Sequence, residues 1–204
     1  MKTLVFALVF LIVNSACAQE ETLLSGNIEN GGFGAPVLKF SPVKNQFAVW
    51  VGGQGGWLIN HTFLLGGGGY GLGTTIAPRP EVQEALGTTR PLAIQCGYGG
   101  LVMEFIGNSD DLVHYTFTTL VGAGAVRYGE RPFSEHSFDY VGQQDPDVFF
   151  VLEPGVNVEL NVTTFFRFAV GAGYRYVSGV NLVGLSNSDL SGASVNVALK
   201  FGKF

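Results

Sequence analysis

Eight stretches of the chain have the pattern of β-strands: they are rich in β-forming residues, are bounded by turn residues and, most clearly in the fifth to eighth, alternate apolar with polar or small residues at a period of two. The stretches are Phe33–Val43, Gln46–Ile59, Thr62–Ile76, Pro91–Gly107, Leu112–Gly129, Val148–Leu160, Thr163–Ser178 and Leu190–Phe204. Most are longer than the roughly 9–11 residues that a tilted strand needs to cross a bilayer, and strands of soluble proteins are commonly only about 5–6 residues long. The pattern predicts an all-β fold of about eight long strands.

The connections between these stretches differ in length according to their order. In sequence they are Lys44-Asn45, Asn60-His61, Ala77–Arg90, Asn108–Asp111, Glu130–Asp147, Asn161-Val162 and Gly179–Asp189. The even-numbered connections are all short, whereas three of the four odd-numbered ones are long and polar. In an up-and-down barrel the two sets lie at opposite ends, and outer-membrane barrels have short turns at the periplasmic end. We therefore predict a single antiparallel up-and-down β-barrel with this asymmetry.

The N-terminus has the pattern of an export signal. Lys2 is followed by the apolar run Leu4–Val13, and Ala16-Cys17-Ala18 then provides a small-x-small site, so we expect cleavage before Gln19. The predicted organisation is a signal peptide at 1–18, an N-terminal periplasmic extension at 19–32 and the barrel at 33–204. We expect localisation to the outer membrane.

Composition excludes several classes of protein. The formal net charge is −5, with 11 basic and 16 acidic residues, and loss of Lys2 makes it more negative. A nucleic-acid partner would need a basic stripe, so none is predicted. Cleavage leaves Cys96 as the single cysteine, which rules out an intramolecular disulfide. The 30 glycines and 17 phenylalanines favour a curved, closed sheet.

The seventh stretch indicates which face is which. Phe166, Phe168, Val170, Ala172, Tyr174 and Tyr176 share one parity, while Arg167, Ala169, Gly171, Gly173 and Arg175 share the other. The first set is interpreted as a lipid-facing stripe with aromatic residues at both ends. The second set then points into the barrel.

The same parity rule predicts a structural cluster of polar residues in the lumen. Its members are His114, Glu153, Glu159, Arg167, Arg175 and Lys200. The inverse placement would put charges in lipid at a cost of about 2–4 kcal/mol each for Arg or Lys near the midplane. A soluble barrel, with the charges in water and the aromatic residues in a core, has the same local alternation and stays an alternative.

No motif predicts chemistry. Gly66-x-Gly68-x-x-Gly71 matches a dinucleotide fingerprint in form, but no helix start follows it. The loop Glu130–Asp147 holds several acids and His136, yet its spacing fits no defined metal loop. No serine stands in a nucleophile context beside His61, His114 or His136. We predict no catalytic residue, no metal site and no cofactor.

The signal peptide, the eight alternating stretches, the sorted connections and the terminal Phe204 together resemble the small outer-membrane β-barrel superfamily, of which the transmembrane domain of outer-membrane protein A is a familiar member. The resemblance implies outer-membrane lipids and the barrel-assembly machinery as partners, because that machinery recognises a final strand ending in an aromatic residue. Here Phe201 continues the parity of Val195, Val197 and Leu199, whereas Phe204 falls on the other.

Three functional hypotheses follow. The first is a non-enzymatic outer-membrane barrel that presents the loops Ala77–Arg90, Glu130–Asp147 and Gly179–Asp189 to an unidentified surface ligand. The second is a barrel enzyme acting on envelope lipids through His114 or His136. The third is a soluble secreted barrel that binds an apolar ligand. The residue pattern favours the first, and about eight strands leave no aqueous channel for a general porin.

Overall fold

The strands of this chain close into a barrel. The computed structural model describes residues 29–87, 91–130 and 145–204, and β8 pairs with β1 to complete a ring in which every other pair is consecutive in sequence. The strands are β1 Asn30–Phe40, β2 Val49–Ile59, β3 Phe63–Leu72, β4 Leu92–Gly107, β5 Val113–Glu130, β6 Asp147–Asn161, β7 Phe166–Ser178 and β8 Gly192–Lys203. All pairings are antiparallel. The predicted eight-stranded up-and-down barrel is confirmed.

Two short helices lie in the connections, α1 at Pro80–Ala85 and α2 at Asn187–Leu190. In the described part of the chain, no helix is both long and apolar enough to cross a membrane. The predicted signal peptide at 1–18 lies outside the described residues, as do most of the predicted extension and residues 88–90 and 131–144 of two predicted loops. Residues 30–32 of that extension belong to β1.

The first connection is longer than its predicted tip, Lys44-Asn45. β1 ends at Phe40 and β2 begins at Val49, although the Ser41 N–H still donates to the Ala48 carbonyl across the hairpin. Lys44 and Asn45 do form a tight turn, with φ of 52° and 59°, closed by a bridge between Val43 and Gln46. This small hairpin stands above the barrel wall as part of a longer loop.

With the observed strand bounds, the odd- and even-numbered connections differ in length more clearly than the sequence predicted. The odd-numbered connections span residues 41–48, 73–91, 131–146 and 179–191, and the even-numbered ones span 60–62, 108–112 and 162–165. Every odd connection is therefore longer than every even one. We call the two ends of the barrel the long-loop end and the short-turn end.

The two faces of the wall differ sharply in charge. Along β7, Arg167, Ala169, Arg175 and Val177 are buried, whereas the residues between them are exposed or half-buried. The same alternation runs around the ring, and the outward positions of the eight strands carry only two charged residues, Arg127 on β5 and Lys203 on β8. These two lie toward opposite ends of the barrel. The wall between them has no outward charge.

Several glycines are required by close approach between neighbouring strands. Gly100 on β4 lies opposite Gly122 on β5. A Cβ added to Gly122 would fall on the carbonyl oxygen of Gly99 and within 2.6 Å of the Gly100 Cα. At Gly71 on β3, by contrast, a Cβ would meet nothing within 4 Å. Glycine at 122 is therefore a packing requirement, and glycine at 71 is not.

Replacing Gly122 by Ala should lower the free energy of unfolding by about 1–3 kcal/mol, because the added methyl group overpacks the β4–β5 interface. Gly71→Ala is the matched control, and we expect it to be neutral or slightly stabilising because the alanine has room and reduces the entropy of the unfolded chain. Urea titration of both variants measures the difference. Equal stabilities for the two variants would contradict the close packing at Gly122.

Candidate functional site

The residues best able to bind a ligand or take part in a reaction are buried charged side chains inside the barrel. Near the short-turn end, five consecutive strands, β4 to β8, each contribute one member of a group that we call the short-turn cluster: Glu104, His114, Glu159, Arg167 and Lys200. Register brings them together, since His114 lies opposite Glu159 and Arg167 lies opposite Lys200.

Lys200 is the centre of this cluster. Its Nζ donates to a carboxylate oxygen of both Glu104 and Glu159. Lys200 is 1% exposed and both glutamates are 0% exposed. Thr116 donates a further hydrogen bond to Glu159 at 3.0 Å. A buried cation between two buried carboxylates is stable only as a complete set, because each charge left alone would lack water to solvate it.

His114 and Arg167 complete the cluster toward the end of the barrel. The Nε2 atom of His114 lies 3.4 Å from Glu159 and 3.4 Å from the Arg167 guanidinium, and its Nδ1 lies 3.2 Å from the Asp111 carbonyl oxygen. Arg167 also donates to the Ser109 carbonyl at 3.3 Å. Among the described residues, no serine hydroxyl is hydrogen-bonded to His114.

A second ion pair lies nearer the middle of the barrel. Lys39 on β1 donates to Glu153 on β6 at 2.7 Å, across the lumen. The hydroxyl of Tyr98 donates to the same carboxylate oxygen at 2.9 Å. The Lys39 ammonium also sits 3.5 Å from the centroid of the Tyr70 ring, which is a cation–π contact.

Between the two ion groups, polar side chains form a chain of hydrogen bonds that ends on Glu159 of the short-turn cluster. Asn196 donates to Asn157 at 2.8 Å, and Asn157 donates to Thr116 at 3.2 Å. Beside them, between Lys39 and Lys200, is a cavity of about 30 Å³, which is room for a few water molecules at most. The lumen is thus filled by side chains and has no open channel through the part that is described.

Arg175 connects the barrel wall to the loops above it. Its guanidinium lies 4.2 Å from the centroid of the Trp50 ring. It donates to the Leu190 carbonyl at 2.7 Å and to the Ser41 hydroxyl at 3.2 Å. Leu190 ends α2 and Ser41 begins the β1–β2 loop. One buried arginine therefore holds two loops on the rim.

The described loops close the long-loop end with an apolar plug, which consists of Val43, Ile76, Val82, Leu185 and Leu190, all at most 7% exposed. Polar contacts around it tie the loops to one another. Lys44 donates to the Ala77 carbonyl at 3.0 Å, Arg79 pairs with Asp189 at 3.4 Å, and Tyr128 donates to the Val183 carbonyl at 2.6 Å. Partial burial, together with the nearby Arg79, lowers the pKa of Lys44.

The terminal residue closes the opposite end. The Phe204 ring lies 4.0 Å from the Arg167 guanidinium and 5.6 Å from the Phe33 ring. Both partners point inward, so the ring turns into the mouth of the lumen. The aromatic residue on the outward parity is Phe201, which stacks on Phe166 at 4.9 Å. The parity mismatch at the C-terminus therefore has a structural reason, since the two phenylalanines serve opposite faces.

Outside the wall at the same end, the chain before β1 is held against the β2–β3 turn. Glu29 and His61 pair at 2.6 Å, and this contact lowers the pKa of Glu29. The backbone N–H of Glu29 also bonds to Asn60 at 3.0 Å.

The structure buries all six residues of the predicted lumen cluster. They fall into separate groups. His114, Glu159, Arg167 and Lys200 share the short-turn cluster, Glu153 pairs with Lys39, and Arg175 lies under the loops.

The sequence analysis missed two buried charges of the lumen, Lys39 and Glu104. Glu104 stands between Val102 and Ile106 on its face of β4, so local alternation presents that face as apolar. One signal was available: the three predicted lumen cations outnumber the two predicted carboxylates, so a further buried carboxylate was to be expected.

Within residues 29–87, 91–130 and 145–204, no set of three or more His, Cys, Asp and Glu side chains could hold a metal ion. Most of the acidic loop Glu130–Asp147 lies outside those ranges.

Replacing Lys200 by Met should destabilise the barrel by about 3–5 kcal/mol, because Glu104 and Glu159 would remain buried without their cation. Lys203→Met is the matched control, three residues along the same strand, where the lysine is exposed; we expect a change of less than about 0.5 kcal/mol there. Urea titrations at neutral pH make the comparison. A small effect at both positions would show that the cluster contributes little.

Removing the terminal ring should weaken the short-turn end. We expect Phe204→Ala to cost about 1–2 kcal/mol through the lost contact with Arg167 and to speed amide hydrogen exchange near residue 167. Phe204→Tyr keeps an aromatic face over the guanidinium and should behave like the parent chain. If the alanine variant exchanges as slowly as the tyrosine variant, the ring does not seal this end.

Comparison with known proteins bears on the fold. No family model and no curated protein matches the chain in sequence. Among solved structures, the N-terminal β-barrel domain of Pseudomonas aeruginosa OprF aligns with a TM-score of 0.54 at 8% identity, covering 86% of this chain and 99% of that one.

A second solved structure has a similar degree of structural similarity to this chain. Ail, the attachment invasion locus protein of Yersinia pestis, crystallised with the heparin analogue sucrose octasulfate, aligns with a TM-score of 0.52 at 8% identity, covering 85% of this chain and 97% of that one. Both alignments span nearly all of the other chain. This protein therefore has the fold of the small, eight-stranded outer-membrane β-barrels.

Proposed function

We propose that this protein is an integral outer-membrane barrel of the structural or surface-interaction type, without enzymatic activity. The observation that carries the proposal is the distribution of charge. Four cations and three carboxylates are buried inside: Lys39, Arg167, Arg175, Lys200, Glu104, Glu153 and Glu159. The outward positions of the strands carry only Arg127 and Lys203.

A water-soluble barrel would favour the opposite arrangement. Its outer wall would be polar, whereas this wall exposes Phe117, Val158 and Tyr174 at 54%, 58% and 51%. A soluble carrier of an apolar ligand would also need an apolar interior, and this lumen is filled by ion pairs. An apolar band of this kind matches the hydrocarbon layer.

The lumen cluster has a structural role in this proposal. Ion pairs such as Lys39–Glu153 join strands from opposite sides of the ring, and they leave no water-filled path in the described interior. The partners are then outer-membrane lipids and, during assembly, the barrel-assembly machinery. The long loops face the cell surface and the short turns face the periplasm.

The loops of this chain favour a ligand unlike the one in the Ail crystal. Sucrose octasulfate is strongly anionic. In the described parts of the connections at the long-loop end, Lys44 and Arg79 are outnumbered by Glu81, Glu84, Asp145 and Asp189. We propose that these loops do not bind sulfated sugars, since an acidic surface repels them.

Envelope fractionation tests the location. The full chain, expressed with its N-terminal segment, should remain in the outer-membrane pellet and should change its gel mobility on boiling, because a folded barrel resists detergent until it is heated. Recovery in the soluble periplasm without a mobility shift would overturn the proposal.

A charge placed on the wall distinguishes lipid from water more directly. Ala172 is exposed on β7 between Val156 and Val195 of the neighbouring strands. Ala172→Arg should destabilise the barrel in phospholipid vesicles by about 2–4 kcal/mol, the cost of Arg or Lys near the midplane. Thr75→Arg, at an exposed position of the β3–β4 loop, is the control and should be nearly neutral. If the two variants are equally stable, Ala172 faces water.

A further inference from the structure

On one side of the barrel the apolar wall continues into the short turns. Val113 and Leu160 lie opposite each other where β5 and β6 meet the short-turn end. Beyond them Leu112, Val162 and Phe165 are 68%, 48% and 60% exposed. We call these three residues the apolar turn patch. Large apolar side chains are thus left uncovered at a level where a turn normally carries polar residues.

The patch is continuous with the outer wall. The Phe165 carbonyl accepts a hydrogen bond from the Gly202 N–H at 2.9 Å, so this residue extends the β7–β8 ladder. Next to it, Phe166 and Phe201 stack on the outer face. The β6–β7 turn, residues 162–165, contains no charged residue. Whatever covers the wall is therefore in position to cover the turn as well.

The opposite side of the same end has a different character. The β2–β3 turn consists of Asn60, His61 and Thr62, and His61 pairs with Glu29. Just above it, the Trp57 indole N–H donates to the Asn30 side chain at 2.8 Å. An exposed tryptophan with its N–H on a polar partner is typical of a membrane–water boundary. On this side the boundary lies above the turn.

We propose that the apolar turn patch is inserted into the acyl-chain and glycerol region of the leaflet at the short-turn end, while the β2–β3 turn stays in water. This rests on the proposed membrane location. The occupant of the patch is phospholipid, since the patch continues the lipid-facing wall without a polar break between Phe165 and Phe201. Asp110 and Asp111 limit the depth, because both carboxylates are exposed in the turn beside Leu112 and must keep contact with water.

One consequence is that the barrel meets this bilayer surface unevenly. The hydrocarbon boundary passes through the turns on the β5–β7 side and above the turn on the β2–β3 side. A protein can accommodate such a difference by tilting or by local deformation of the bilayer. Either response holds the β6–β7 turn at a fixed depth.

Fluorescence quenching by lipid tests the proposal. In the full chain with Cys17→Ser and Cys96→Ser, a single environment-sensitive NBD label is attached at Phe165→Cys or at Val162→Cys. Thr62→Cys on the opposite turn is the matched control, and Ala172→Cys reports the lipid-facing wall. Each variant is refolded into phosphatidylcholine vesicles with and without brominated acyl chains.

Labels at 165 and 162 should emit at shorter wavelength than the label at 62 and should lose intensity in brominated vesicles, as the label at 172 does. If they match the label at 62, the turn lies in water and the proposal is wrong. Shorter-wavelength emission without quenching would mean that protein covers the patch, which also overturns it. An unquenched label at 172 would reject the membrane location itself.

Discussion

Pairing of β8 with β1 is the constraint on which the rest of this structure depends. Once the sheet closes on itself, one face of every strand is removed from water, and the eight-stranded ring is too narrow to admit much of it. A charged side chain on that face must find its partner among the other side chains of the lumen. Lys200 between Glu104 and Glu159, and Lys39 against Glu153, are the result. Burial of this kind is tolerated because each of these charges is compensated.

Closure also determines how the two ends are sealed. At the long-loop end, Leu190 and its neighbours cover the mouth, and Arg175 holds the loops through hydrogen bonds to the Leu190 carbonyl and Ser41. At the short-turn end, the loops are too short to reach across, and the Phe204 ring over Arg167 takes that place. The interior is thus ionic and polar in the middle and apolar at both ends.

Much of the architecture could be predicted because it follows from periodicity. A period of two over long segments, with turns sorted by order, is nearly sufficient to predict an antiparallel barrel and the direction of its side chains. The places where the prediction failed are those where local pattern carries no information about closure. The β1–β2 connection spans residues 41–48 and so extends beyond its predicted tip at Lys44-Asn45. Glu104 was overlooked because its neighbours on the same face, Val102 and Ile106, are apolar.

By itself, the sequence determined the number of strands and, for β5 to β8, the parity and hence the charges that share a face, since these depend only on residues near one another in the chain. Tertiary structure alone decided which charges meet. Lys39 and Glu153 are 114 residues apart in sequence, and their contact exists only because the register of every strand adds up around the ring. The contacts of the two terminal phenylalanines were decided in the same way: closure places Phe201 against Phe166 on the outer face and Phe204 over Arg167 at the mouth of the lumen.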